Sequence, residues 1–190
     1  MGSLPFLIFA GGAVVVAALA ALLYNSLISK RNQVKNVFAS IDALLKKRYD
    51  LIPNLVAAVQ EYMKHERGVL TQITEMRARA VSGTLSDEEK LKTGQEVSKL
   101  LAGIRVAVEN YPDLKANQNF LQLQGSINEV EEQISAARRA YNAAVTEYHN
   151  ALEMFPTNLL ASLGQFQRVQ WFEAAPEERA AADVKGLFKA

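Results

Sequence analysis

The sequence predicts an all-α protein: an N-terminal single-pass transmembrane helix followed by an elongated antiparallel helical bundle of three long helices plus short C-terminal helices. Three observations predict this class. Residues 4–24 form a charge-free apolar run, and two later stretches, 34–76 and 120–155, carry apolar side chains at helical spacing. The 190 residues are 49% hydrophobic with only ten glycines and five prolines, which is enough apolar material for a packed core.

The first element is the apolar run. As a helix, residues 4–24 span about 31 Å, which matches the ~30 Å hydrocarbon core of a bilayer. A cleaved signal peptide is the competing interpretation, with residues 18–20 (ALA) as the cleavage box. The first six residues lack the basic side chains of a signal peptide, and the run is longer than a usual h-region, so we expect a retained anchor.

Charges flanking the span predict its orientation. Basic side chains follow the run and none precedes it: Lys30, Arg31 and Lys35. The positive-inside rule then places the N-terminus outside and the remainder of the chain in the cytoplasm.

Small residues recur inside the span, namely Gly11, Ala13, Ala17 and Ala21. Small side chains four residues apart let two helices approach closely in lipid. Two interpretations stay open: an ordinary alanine-rich span, or a contact between copies of the chain.

The next helix is predicted by an apolar stripe of period 3.6. Its members are Val34, Phe38, Ile41, Leu45, Ile52, Val56, Val59, Met63, Leu70, Ile73 and Met76. No Gly or Pro lies between residues 13 and 52, so we expect the membrane helix to continue directly into it. We expect a kink near Tyr49, because Pro53 has no N–H to donate, and fraying at residues 82–84.

Two charged residues, Arg48 and Glu66, interrupt this stripe. The structural interpretation is a half-buried charge network between helices. Its expected members are Arg48, Glu66, Glu131 or Glu132, and Arg138. The functional interpretation is a recognition patch at the kink, made of Arg48, Asp50 and Asn54.

Two cap patterns delimit the later helices. Ser86 and Glu89 have the spacing of a capping box, which predicts a helix from there to Glu109. Pro112 ends that helix, because a proline disfavours helix in the residue before it. Asn117 is a good N-cap for the helix that follows.

The last long helix has the most regular pattern. Its seam alternates steps of three and four residues: Phe120, Leu123, Ile127, Val130, Ile134, Ala137, Tyr141, Ala144, Tyr148, Ala151 and Phe155. This is heptad, coiled-coil spacing. A partial second stripe at Leu121, Val145 and Leu152 widens the apolar face, which favours a bundle over a two-stranded coiled coil.

The C-terminal region is predicted to hold short elements. We expect a helix capped by Thr157 or Asn158 that ends at Gly164. The following elements are an extended segment over 166–172 with Trp171 and Phe172 as aromatic anchors, a short polar helix over 176–182, and mobile residues at 185–190.

Several motifs, in order along the chain, resemble the LemA family. They are KRYDLIPNLV (47–56), YMKHE (62–66), YPDLKAN (111–117) before Phe120, RRAYN (138–142), FPTN (155–158) and WF (171–172). The resemblance covers essentially the whole chain; one departure is Lys47, where the family more often has Arg. It implies a bacterial single-pass membrane protein with a cytosolic antiparallel bundle, hence the inner membrane, and no established enzymatic chemistry. One relative takes part in magnetosome membrane biogenesis.

The residues themselves offer no catalytic set. The chain has no cysteine and two histidines, and neither His65 nor His149 follows a glutamate by three residues as a di-iron bundle requires. No Walker or Rossmann glycine pattern occurs. A net charge of +1 argues against nucleic-acid binding. We therefore expect no cofactor or metal and no enzymatic activity.

The expected organisation is an anchor at 1–29, a bundle at 30–174 and a tail at 175–190. The expected function is a self-assembling scaffold that contacts the membrane, further copies of itself and unknown proteins. The alternative is a regulatory adaptor that docks a membrane protease or an envelope-stress partner.

Overall fold

The computed structural model describes residues 3–172, with side chains from Ile8 onward. Every regular element in that range is helical, which confirms the predicted all-α class. The longer helices are α1 (Ser3–Val59), α2 (Arg67–Val81), α3 (Asp87–Val108) and α5 (Gln118–Glu153). The short ones are a 3-10 turn (Lys64–Glu66), α4 (Pro112–Lys115) and α6 (Thr157–Leu163).

Helix α1 runs without a break from the apolar run into the packed region, as the lack of Gly and Pro predicts. The expected continuation as far as residue 82 is wrong. α1 ends at Val59, six residues after Pro53, and α2 starts at Arg67. The interruption over residues 60–66 is one heptad long. An interruption of that length leaves the apolar rhythm in phase, so the spacing alone does not reveal it.

The chain divides into two compact units. The anchor unit comprises residues 3–45 and 132–171, and the arginine unit comprises residues 46–131 and 172. Both α1 and α5 contribute to each unit, so the division crosses two helices and not a linker.

In the anchor unit, α1 and α5 lie antiparallel. Three contacts define their register: Lys30 with Glu147, Phe38 with Tyr141, and Leu27 with Ala151. The two residue numbers in each pair add up to 177–179, so the register is constant along the pair. Leu27, Ile41 and Leu45 are buried on the α1 side.

The seam of α5 is largely as predicted. Buried members are Phe120, Ile127, Val130, Ile134, Tyr141, Ala144, Tyr148 and Ala151, with Leu123 and Ala137 half-buried. The prediction that Phe155 is the last buried member of the seam is wrong, because its side chain is 79% exposed. α5 ends at Glu153, and the chain turns at Pro156 into α6, which takes Phe155 off the packed face.

The two predicted caps are confirmed. Ser86 accepts from the N–H of Glu89 and donates its own N–H to the Glu89 carboxylate. The Asn117 side chain accepts from the N–H groups of Asn119 and Phe120 at the start of α5. The proposed cap of α6 is wrong, because Pro156 occupies the N-cap position and Thr157 donates to the carbonyl of Met154. The expected elements at 176–182 and 185–190 lie outside the described residues.

Candidate functional site

The arginine unit is organised around the guanidinium of Arg48, which is 0% exposed. Nη1 donates to Glu131 Oε1 and to Ser98 Oγ, both at 2.7 Å, and Nη2 donates to the Gly94 carbonyl at 2.8 Å. The partners belong to α3 and α5, and Arg48 belongs to α1. One side chain therefore ties three helices together.

The carboxylate of Glu131 is shared between two donors. Oε1 accepts a hydrogen bond from Arg48 Nη1, and Oε2 accepts one from Ser98 Oγ at 2.9 Å. The Tyr49 ring lies beside the guanidinium, 5.4 Å from its carbon. A charge this deeply buried requires hydrogen-bond partners, and both Nη atoms have them, whereas the buried Nε has none among the described residues. The cluster can hold helices in register.

The rest of the expected charge network and of the expected recognition patch have other surroundings. Asp50 is exposed and pairs with Lys46 at 3.3 Å on the same helix. Asn54 is exposed, and Glu66 is half-buried in the 3-10 turn. Arg138 belongs to the anchor unit and Glu132 is exposed. Of the expected set, Arg48 and Glu131 are in contact. The break after Val59 takes Glu66 off the α1 stripe.

A second arginine compensates for Pro53. In a helix the Tyr49 carbonyl accepts from the N–H four residues later, and proline has none. Arg77 on α2 donates its Nε to that carbonyl at 2.9 Å. The proline thus leaves the Tyr49 carbonyl on α1 without its helical donor, and Arg77 of α2 supplies another. Sequence reasoning found the missing donor but not its replacement.

In the anchor unit, residues 165–171 form an irregular segment that we call the strap. Because it has no helix or strand bonds of its own, its backbone needs side-chain partners. Tyr148 donates to the Gln167 carbonyl at 3.1 Å, and Tyr141 donates to the Gln170 carbonyl at 3.2 Å. Burial raises the pKa of Tyr148 above its usual 10.0, so its hydroxyl stays a donor.

A buried histidine completes the strap contacts. His149 accepts the Val169 N–H on Nε2 at 3.3 Å. Its ring lies 4.3 Å from that of Trp171, edge to face. Trp171 in turn donates to Thr146 at 3.2 Å. The sequence indicated Trp171 as an anchor and placed Tyr141 and Tyr148 on the seam. It missed the hydrogen bonds of the two tyrosines and the contact of His149, which lies next to the seam.

Gly164 permits the strap to start where it does. A Cβ at this position would lie 2.6 Å from the Phe166 ring. Phe166 packs against the cluster around Leu27 and meets Tyr24 edge to face at 5.7 Å between centroids. The guanidinium of Arg31 also lies 5.4 Å from the Phe166 ring.

The start of α1 differs from the rest of the protein in its surface. From Ile8 to Leu22 the apolar side chains are almost all exposed, and this helix alone in the described residues is long and apolar enough to cross a membrane. The small residues Gly11, Ala13, Ala17 and Ala21 are exposed there as well. An uncovered apolar helix surface of this size is stable in lipid and unstable in water.

The described residues hold no group of three or more His, Cys, Asp or Glu side chains placed to bind a metal ion.

The sequence model that describes the LemA family matches residues 37–185 of this chain. The chain belongs to the LemA family. This membership agrees with the motif resemblance and with the all-helical fold behind a single apolar N-terminal helix.

Named relatives agree with the family membership. Protein LemA of Metamycoplasma hominis is 26% identical over 163 residues, covering 86% of this chain and 74% of the relative. Magnetosome protein MamQ 2 of Paramagnetospirillum magneticum is 24% identical, covering 85% and 70%. Magnetosome protein MamQ of Magnetospirillum gryphiswaldense is 23% identical with the same coverage. None of these three names denotes an enzyme.

Proposed function

We propose that this LemA-family protein is a membrane-anchored, non-enzymatic scaffold that self-assembles and takes part in organising a bacterial inner membrane. The observation that carries the proposal is α1. One helix presents a bare apolar surface at its start and packs against α5 from Leu27 onward. The span and the packed region are therefore joined by one continuous helix within the anchor unit, which suits a scaffold.

Two further points support the proposal. Three of the curated relatives are named as magnetosome proteins, which favours a role at a membrane over a role in free solution. The basic residues directly after the span favour an orientation with the N-terminus outside and the bundle in the cytoplasm.

Self-assembly is tested with the full chain in lipid nanodiscs or mild detergent, by mass photometry or light scattering. We expect an oligomer that is weakened by Ala17→Leu, because a larger side chain holds the helices apart. Val15→Leu, on the other side of the helix, is the matched control and is expected to change nothing. A monomer at working concentration would overturn the assembly part of the proposal.

The alternative, an adaptor for a membrane protease or envelope-stress protein, is favoured by one observation. Asp50 and Asn54 are exposed one helical turn apart on α1. Cross-linking in cells followed by mass spectrometry should then yield a partner that is lost on Asp50→Ala or Asn54→Ala and kept on Glu88→Ala, an exposed site on another helix. A partner set unchanged by all three variants would exclude docking at this surface.

A further inference from the structure

Four large apolar side chains are exposed where α5 turns into α6. Met154 is 60% exposed, Phe155 79%, Leu159 56% and Leu163 81%. We call these four residues the corner patch. Scattered single apolar residues at a surface are ordinary, but four within ten residues need a partner.

The register of α1 and α5 places this patch at the end of the apolar run. Paired residue numbers add up to about 178 at the Leu27–Ala151 contact. Extending that register, Phe155 is level with residue 23, since 178 minus 155 is 23. Residue 23 lies inside the apolar run of residues 4–24. Phe155 is therefore at the depth of the hydrocarbon boundary if α1 spans the membrane.

The face of α6 opposite the corner patch packs against α1 and α5, and this packing holds α6 at that depth. Ala161 joins the buried cluster with Leu27 and Ala151, and Leu160 packs against the same cluster. Leu159 and Leu163, one turn apart, point away from it and remain exposed. Burial of one side of α6 in the anchor unit thus fixes the direction in which the other side faces.

We propose that the corner patch inserts into the surface of the bilayer that α1 spans, giving the protein a second lipid contact beside its anchor. The proposal rests on the membrane anchoring proposed above. An amphipathic element of this kind buries its apolar side chains about 5–10 Å into the boundary between headgroups and acyl chains. It requires no particular orientation of the chain across the membrane.

Lipid, and not another protein, is favoured by continuity and charge. The patch adjoins the exposed apolar surface of α1, so one hydrocarbon phase covers both. Lys30 and Arg31 follow the end of the apolar run, and Arg168 pairs with Glu153, which the register places level with residue 25. All three cations are therefore near the depth at which anionic headgroups would lie. The nearby acids Glu147 and Glu153 are each paired, with Lys30 at 3.4 Å and with Arg168 at 2.7 Å.

The chain has no cysteine, so single spin labels can be placed on the otherwise unchanged full-length protein. The labelled variants are Phe155→Cys and Leu163→Cys, with two references in the anchor unit. Leu22→Cys lies in the span, and Ala136→Cys is an exposed site on α5. By the same register Ala136 is level with residue 42, about 27 Å beyond residue 24. The protein is reconstituted in vesicles containing anionic lipid.

The measurement is the accessibility of each label to oxygen, which is enriched in lipid, and to a nickel chelate, which is confined to water. We expect the oxygen-to-nickel ratio at Phe155 and Leu163 to resemble that at Leu22 and to exceed that at Ala136 several-fold. Adding Leu163→Asp to the Phe155→Cys variant should lower the ratio toward the Ala136 value, because it places a charge in the patch.

The outcomes separate this proposal from the anchor. A lipid-exposed Leu22 with water-exposed Phe155 and Leu163 overturns the second contact and leaves the anchor intact. Labels at 155 and 163 that are shielded from both reagents would assign the patch to a protein neighbour, which also overturns it. A water-exposed Leu22 overturns the anchor itself.

Discussion

The two units attach α1 to α5 by different chemistry. In the arginine unit, a fully buried guanidinium bonds a carboxylate on α5 and two groups on α3. In the anchor unit, no charge is buried to this degree among the residues described. There α1 and α5 pack through apolar and aromatic side chains, and the hydroxyls of Tyr141 and Tyr148 hold the strap.

The difference shows what each kind of contact specifies. Apolar seams tolerate a shift of one heptad, because the next turn presents the same kind of surface. A single buried arginine with one matching glutamate does not, since every shifted register leaves a charge without its partner. The arginine unit therefore specifies the register of its own helices. In the anchor unit, the α1–α5 pair adds buried apolar area, and α5 holds the strap.

The largest loss of stability is expected when the buried ion pair of the arginine unit is broken. Arg48→Ala should lower the free energy of unfolding by about 3 kcal/mol, the low end for a broken buried ion pair, because Glu131 keeps some contact with water. Chemical denaturation followed by circular dichroism measures it. Lys47→Ala, at an exposed neighbouring position, is the control. An unchanged unfolding midpoint for Arg48→Ala would show that the cluster does not support the fold.

The next effect tests the anchor unit. Tyr148→Phe removes the bond to the Gln167 carbonyl and should cost about 1.5 kcal/mol locally. Trypsin cleavage after Arg168, inside the strap, should then speed up about tenfold at equal protease. Tyr62→Phe, at an exposed tyrosine, should leave the rate unchanged. Equal cleavage rates in the unchanged protein, Tyr148→Phe and Tyr62→Phe would mean that Tyr148 does not hold the strap.

A double-mutant cycle sharpens the role of Pro53. Arg77→Ala should cost about 1 kcal/mol, because the Tyr49 carbonyl loses its donor. In the Pro53→Ala background the restored N–H can serve that carbonyl, so the same change should cost less. Equal costs in both backgrounds would show that Arg77 acts through some other contact.

The smallest effect concerns the start of α3. Hydrogen bonds from the N–H and the hydroxyl of Ser86 lower the pKa of Glu89 below its usual 4.5. A pKa lowered on folding stabilises the protein above the usual carboxyl range, and this contribution disappears as pH falls through the lowered value.

The melting temperature of Glu89→Ala should accordingly lie below that of the natural protein at pH 7, with the gap closing in strong acid. Glu88→Ala, which leaves the capping box intact, should show the smaller gap. A gap for Glu89→Ala that stays constant down to the acid limit would contradict the linkage.

Much of the fold could be predicted because it follows local rules. The seam of α5, the caps at Ser86 and Asn117 and the unbroken start of α1 each depend on residues close in sequence. The break after Val59 could not be predicted, since its length preserves the apolar phase.

The site was predictable only in part, and for a similar reason. Arg48 was conspicuous as a charge in an apolar stripe, whereas its partners Ser98 and Gly94 are ordinary helix residues that only tertiary packing brings near. The exposure of Phe155 likewise depends on where the chain turns and not on its spacing.

The unbroken passage of α1 from residue 8 to residue 45 has a mechanical consequence. A bilayer that thickens or thins is accommodated by tilting the helices that cross it. With no hinge between the span and Leu27, such a tilt would swing α5 and α6 along with α1. The anchor unit would then convert membrane thickness into a change of angle at the membrane surface.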